Sequence, residues 1–423
     1  MRKVAIISEH ASPLAVAGGI DSGGQNIYVA HVAQQLARLG CVVDVFTRRD
    51  HILQPSIVKW KNRVRVVHVP AGPTAFVAKE DLLPYMRDFG DGMLKFCSSQ
   101  RQTYDVVHAN FFLSGLAAQA MVKALGIPLI MTFHALGRVR RLFQQEADRF
   151  PSERADIEDR LMCDADRIIA ECPQDLYDML SLYRARSRKI DVVPCGFDPD
   201  EFQPVARSAA RAKLGWDENE FAILQLGRMV ARKGVDNVIR ALASLRDDHG
   251  MRARLYVVGG NSDEPNEVAT PEIGRLRRIA HEEGVASQVT FVGRRRRAWL
   301  RFFYSAADVF VTTPWYEPFG ITPVEAMACG VPVIGAAVGG IKHTVRDGET
   351  GFLVPPRDPA ALACRLARLH DDRALARRMG QAACRRANKL FTWRSVGLDI
   401  AGVYERAMAR VREANPLPAR AAM

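Results

Sequence analysis

Two glutamates, Glu317 and Glu325, stand eight positions apart in "WYEPFGITPVEAMACG" (315–330), with Pro-Phe-Gly between them. Glutamate is rarely fully buried unless paired. Either one could cap a helix or form a salt bridge. Together they could accept hydrogen bonds from the hydroxyls of one polar ligand, as a sugar ring would offer. The turn between them presents backbone amides that can face an anion. A second loop, "LGRMVARKG" (226–234), sets Arg228 and Lys233 five apart around a turn, with a glycine on each side. Either alone could be a surface cation; a guanidinium fork and an ammonium point charge together suit a diphosphate.

Near the N-terminus, "GGIDSGGQNIYVA" (18–30) places Gly23-Gly24 directly before a helical pattern. Unpaired N–H groups and the positive end of a helix make a seat for phosphate; a plain tight turn is the alternative. The strict G-x-G-x-x-G spacing of dehydrogenases is absent. "AAVGGIKHT" (336–344) repeats the device with Gly339-Gly340. "TFHALGRVRR" (132–141) ends an apolar run at His134. A lone histidine is more often structural than catalytic, but the end of a strand favours function. No G-x-S-x-G, H-E-x-x-H or G-x-x-x-x-G-K-[ST] occurs. The two D-x-D stretches, 164–166 and 198–200, fall at a helix end and in a linker, so no metal site is expected.

These loops need elements to aim them. "KVAIIS" (3–8), "CVVDVFT" (41–47), "VRVVHVP" (64–70), "YDVVHAN" (104–110), "IPLIMTFHA" (127–135), "ADRIIAEC" (165–172) and "KIDVVPCGFD" (189–198) read as strands separated by helical periodicity. The second half repeats the grammar at 221–227, 253–260, 288–293, 307–313, 331–336 and 351–356. Apolar runs alternating with helices predict parallel sheets covered on both faces. The polar stretch 198–219, with Pro199 and Pro204, reads as a linker between domains 1–197 and 220–390. Residues 391–423 read as a helical tail packing back across the domains. Two doubly wound α/β domains facing a deep interdomain cleft would bind ligand outside the strands' carboxyl ends.

The 423 residues, 48% of them hydrophobic, exceed one ordinary core. No run of 18 apolar residues and no secretory leader is visible, and the eight cysteines lack a C-x-x-C pair. A cytoplasmic protein with reduced thiols is expected. The net charge of +12 admits nucleic acid, a membrane surface or anionic small molecules as partners. No nucleic-acid signature accompanies it.

Taken together, these stretches resemble the retaining glycosyltransferases of the two-Rossmann (GT-B) type. More narrowly they resemble the large family that includes sucrose synthases, sucrose-phosphate synthases and the inositol-phosphate N-acetylglucosaminyltransferase of mycothiol synthesis. The resemblance covers nearly the whole chain. E-x7-E is met by Glu317 and Glu325, with "SPLAVAGGIDSGGQNIYV", "HANFFLSG", "FHALG" and "GRMVARKG" in order. It implies an acceptor-side first domain and a nucleotide-sugar-binding second domain. Arg228 and Lys233 would hold the donor diphosphate, and Glu325 the ribose. Glu317 would contact the transferred sugar, with the amides of Phe319, Gly320 and Ile321 nearby. Gly24 would approach the diphosphate and acceptor, His134 the donor sugar and reacting centre, and the backbone of Gly293 and Arg294 the base. The implied mechanism is front-side attack with retention, the leaving diphosphate taking the acceptor's proton, and no metal or other cofactor.

The resemblance also implies an acceptor held by first-domain groups: Asn110, and for a phosphorylated acceptor Lys79, Arg140 and Arg154. Phe111 and Ala135 depart from the inositol-phosphate pattern, which has Tyr and Thr there. The expected activity is hexosyl transfer from an NDP-sugar (UDP-glucose first, UDP-GlcNAc next, GDP-mannose third) to a small sugar, cyclitol or sugar-phosphate acceptor. A peripheral enzyme glycosylating lipid at a membrane surface is less favoured. A non-catalytic sugar-nucleotide-binding protein would be expected to have lost part of the set. A homodimer is left open; no nucleic acid is expected.

Overall fold

The computed structural model describes residues 2–15 and 23–414. The strands are β1 (Lys3–Ile7), β2 (Val42–Arg48), β3 (Ile57–Lys61), β4 (Val64–Val69), β5 (Val106–Asn110), β6 (Leu129–Thr132), β7 (Arg167–Ala170) and β8 (Ile190–Val192). They form one sheet in the order β3-β4-β2-β1-β5-β6-β7-β8. All pairings are parallel except β3 with β4. The remaining strands are β9 (Ala222–Leu226), β10 (Arg254–Val258), β11 (Val289–Gly293), β12 (Val309–Thr312), β13 (Val333–Ala336) and β14 (Gly351–Val354). They form an all-parallel sheet, β11-β10-β9-β12-β13-β14.

The central strands are buried on both faces and therefore read as unbroken apolar runs. In β1, Val4, Ala5, Ile6 and Ile7 are all fully buried. In the second sheet Ile223, Leu255, Val257, Val309 and Val311 enter one apolar cluster with Val238, Leu242, Leu362 and Leu366 from the covering helices. Among the described residues no helix is long and apolar enough to cross a membrane.

By contacts the described chain divides into two units: residues 2–15, 24–194 and 394–414, and residues 23 and 195–393. Two boundaries differ from the sequence reading. The stretch 198–219 is no free linker. It carries the helix Arg207–Leu214 and belongs to the second unit. Arg211 explains this: its buried guanidinium donates to Ala306 O, to three carbonyls of residues 217–220, and to Asp308. The C-terminal helix Trp393–Ala414 groups with the first unit from Arg394 onward. Its Tyr404 hydroxyl lies 2.8 Å from His108 Nδ1 on β5.

Candidate active site

In open α/β sheets, ligands bind beyond the strands' carboxyl ends where the strand order reverses. In the second unit that point lies between β9 and β12. The exit of β9 carries Arg228 and turns through Ala231–Lys233 into Gly234 at φ +66. A Cβ on Gly234 would strike the Thr313 carbonyl just past β12, so only glycine permits this approach. The two exits are then bound together. Thr313 Oγ1 donates to Gly234 O (2.8 Å), and Trp315 N to Arg232 O (3.0 Å). A third loop closes on them, where Gly340 N donates to the carbonyls of Glu317 and Pro318, both at 3.1 Å. Gly339, at φ +44, has no room for a Cβ beside Glu317 O.

This backbone delivers a charge cluster. The Lys233 ammonium donates to the Glu317 carboxylate, and Arg232 Nη1 lies 3.9 Å from the same oxygen. Burial alone would push the Glu317 carboxyl up; Lys233 and Arg232, with a smaller effect from Arg228, outweigh it and hold the group below its ordinary value. Burial lowers the Lys233 ammonium, and Glu317 offsets this only in part. Arg228 also approaches Gly23, with its side chain 3.6 Å from where a Cβ would stand.

Glu325 stands apart from that cluster. It lies within the helix Ile321–Ala328, which begins after Gly320 at φ +90, and is 2% exposed. Tyr304 donates to its Oε2 (2.9 Å), and Arg297 Nη1 lies 3.0 Å from Oε1. Oε1 has no hydrogen bond to a described residue. Burial pushes this carboxyl up, and Arg297 and Tyr304 pull it only partly back. Phe319, Gly320 and Ile321 span the turn between the two glutamates. Gly293 ends β11 at φ +83, and Arg294 N donates to Ser262 O (2.8 Å).

In the first unit the order reverses between β1 and β5. Gly24 opens the helix Gly24–Arg38, and Gln25 Nε2 donates to Asn110 O (3.2 Å) at the end of β5. His134 follows β6. Its Nδ1 is 3.0 Å from Glu171 Oε1 beyond β7, and its Nε2 is 3.0 Å from Asn110 Oδ1. Glu171 was not singled out in the sequence, although it ends a strand just as His134 does.

The three first-unit cations, scattered over 75 positions, come together. Lys79 and Arg140 share Glu80, at 3.4 and 3.8 Å, and Arg140 donates to Asp148 (2.8 Å). Arg140 and Arg154 both lie over the Phe150 ring, at 4.9 and 4.4 Å. Arg154, 2% exposed, donates to Glu158 (2.7 Å) and to Ala135 O. Phe111, at φ +87, stacks on it at 5.0 Å. Both positions that depart from the inositol-phosphate pattern thus touch Arg154. Its Nη1 is buried with no hydrogen-bond partner among the described residues. Also among the described residues, no cluster of three or more His, Cys, Asp or Glu could hold a metal ion.

Residues 206–386 match the family model described as glycosyl transferases group 1, and residues 22–201 that of glycosyltransferase family 4. A D-inositol 3-phosphate glycosyltransferase of Corynebacterium glutamicum is 35% identical, covering 96% of this chain and 97% of its own. The chain belongs to the group 1 glycosyltransferases. Another such relative, from Kineococcus radiotolerans, is 37% identical over 98% of both chains. The sucrose-phosphate synthase structure from Thermosynechococcus elongatus superposes with a TM-score of 0.88 at 32% identity, covering 97% of this glycosyltransferase and all of that chain. The expected family and fold class therefore hold: this glycosyltransferase has two Rossmann-like sheets and a C-terminal helix.

Proposed function

We propose that this glycosyltransferase moves a hexosyl group from a UDP-sugar, UDP-glucose before UDP-GlcNAc, to a hydroxyl of a small phosphorylated cyclitol or sugar, with retention. The observation that carries the donor half is the Glu317, Lys233 and Arg232 cluster on glycine-bound loops, with Arg228 near enough to bias it. Arg228 and Lys233 would meet the diphosphate as charge builds on it, an effect that grows in a water-poor site. Glu317 would turn to the sugar hydroxyls, Glu325 to the ribose, and the amides of Phe319, Gly320 and Ile321 to the phosphate. Gly24, Gly293 and Arg294 would approach the donor with their backbones. The bond from the sugar's anomeric carbon to the diphosphate breaks as the acceptor oxygen bonds to the same face. The acceptor's proton passes to a diphosphate oxygen. These cations would make a metal unnecessary.

The phosphorylated acceptor is supported by the names of the relatives and by the first-unit cluster. Lys79 and Arg140 would turn toward the acceptor phosphate, the buried Arg154 Nη1 would gain a partner, and Asn110 would bind a hydroxyl. Each cation already carries a carboxylate, so the phosphate must compete with Glu80, Asp148 and Glu158. Kinetics with D-inositol 3-phosphate, fructose 6-phosphate and their unphosphorylated counterparts test this. Lys79→Ala should raise the acceptor KM about tenfold or more, leaving the donor KM in place. Equal use of both acceptor forms, or equal effects on both KM values, would reject a phosphorylated acceptor.

A further inference from the structure

The ring of His134 is gripped on both sides, and the partners fix where its protons are. Asn110 Nδ2 lies 3.4 Å from Ile7 O and 3.3 Å from His108 O. Both are acceptors, so the amide nitrogen belongs there, and Oδ1 must face His134 Nε2 at 3.0 Å. The flipped amide would set an oxygen against two carbonyls. On the other side Glu171, a carboxyl only 4% exposed, accepts from Nδ1. With Glu171 ionised, two acceptors face the ring, and each ring nitrogen then carries a hydrogen. The backbone holds this arrangement too, since His134 sits at φ +57, an uncommon conformation outside glycine.

We propose that Glu171 is a positioning residue that keeps His134 doubly protonated, so that the histidine serves the transfer as a fixed positive charge and not as a base. This rests on the reading that His134 acts in transfer. Other described groups border the ring or its partners. Tyr28, from the helix Gly24–Arg38, meets it edge-on at 4.8 Å. His108 on β5 is held down to about 3 by burial and then by His134, so it is neutral in the working range. Asp175, in the helix Pro173–Leu182, accepts from Glu171 N (3.2 Å). Burial, then the charge of Glu171, pushes Asp175 well above the carboxylate range. A ring with both nitrogens protonated has no lone pair to take the acceptor's proton. The proton would then go to the leaving diphosphate oxygen, as in the transfer proposed above.

Nitrogen NMR of protein labelled with 15N-histidine tests the proposal without turnover. The His134 resonances, assigned by their loss in His134→Gln, should show two protonated nitrogens at pH 7. A bare ring nitrogen there overturns the proposal, whatever any variant does. Glu171→Gln should leave one nitrogen bare and lower kcat about tenfold or more with the donor KM held. Its activity should also fall off at lower pH on the alkaline side than in the wild type, because the counter-charge is gone. Glu171→Asp should restore the doubly protonated ring. An unchanged nitrogen pattern and pH profile in Glu171→Gln would refute the role. A doubly protonated ring in an enzyme that transfers no sugar would uphold the positioning claim and remove the transfer reading alone.

Discussion

Glu317 and Glu325 belong to one motif and end in opposite electrostatic states. Glu317 sits on a loop between cations that hold it below its ordinary value. Glu325, one helix later, is sealed against Tyr304 and Arg297 and is pushed above its own. Spacing alone gives no hint of this. The difference comes from which strand exits adjoin: β9 lies beside β12, so Lys233 and Arg232 reach Glu317, while the helix Ile321–Ala328 turns Glu325 toward Arg297 and Tyr304. A partly exposed carboxylate between cations can exchange partners for a ligand. A buried one is costly to disturb.

The largest effect that would break this contrast is on turnover. Lys233→Ala and Arg228→Ala should each cut kcat at least about a hundredfold, roughly 2.7 kcal/mol of transition-state stabilisation, with the fold kept. Glu325→Ala should act on stability as well as on donor binding. It removes the carboxylate shared by Arg297 and the buried Tyr304, leaving Arg297 to Glu201, and should cost about 2 kcal/mol, read by denaturant unfolding of the full chain. Near-normal turnover in both cation variants, or an unperturbed Glu325→Ala, would dissolve the distinction.

A smaller and sharper effect is the pH dependence. The lowered carboxyl of Glu317 contributes stability above the ordinary glutamate value of about 4.3, lost as pH falls through its folded value. The raised carboxyl of Glu325 does the reverse, its contribution being present at low pH and lost as pH rises through its folded value. As pH rises toward and through about 4.3 the melting point of Glu317→Gln should therefore worsen relative to wild type, and as pH rises above about 4.3 that of Glu325→Gln should improve. Parallel slopes would contradict the two environments. The smallest effect expected is that of chelation: activity should persist in EDTA, and loss restored by Mn²⁺ or Mg²⁺ would show that the cations are not sufficient.

The strands of both sheets were legible because buried parallel strands leave unbroken apolar runs. β3 was not, since "IVKWK" is an antiparallel edge strand with half-exposed, alternating residues. The stretch 198–219 read as a linker because a buried arginine looks like a surface one in sequence. Only the carbonyls around Arg211 reveal its role. Within the site, loops following strands could be found by type and spacing. Arg232, Arg297, Tyr304 and Glu171 could not be ranked, because their partners are set by strand order and helix rotation. Glu171 meets His134 only because β6 and β7 are neighbours.

The most direct test of the account is to follow UDP-glucose with the phosphorylated acceptors by proton NMR, watching UDP appear and the new anomeric signal. The account predicts UDP release coupled to an α-linked product, the configuration of the donor. A β-linked product would contradict retention, and a folded enzyme that releases no UDP from any UDP-sugar would contradict the donor assignment itself.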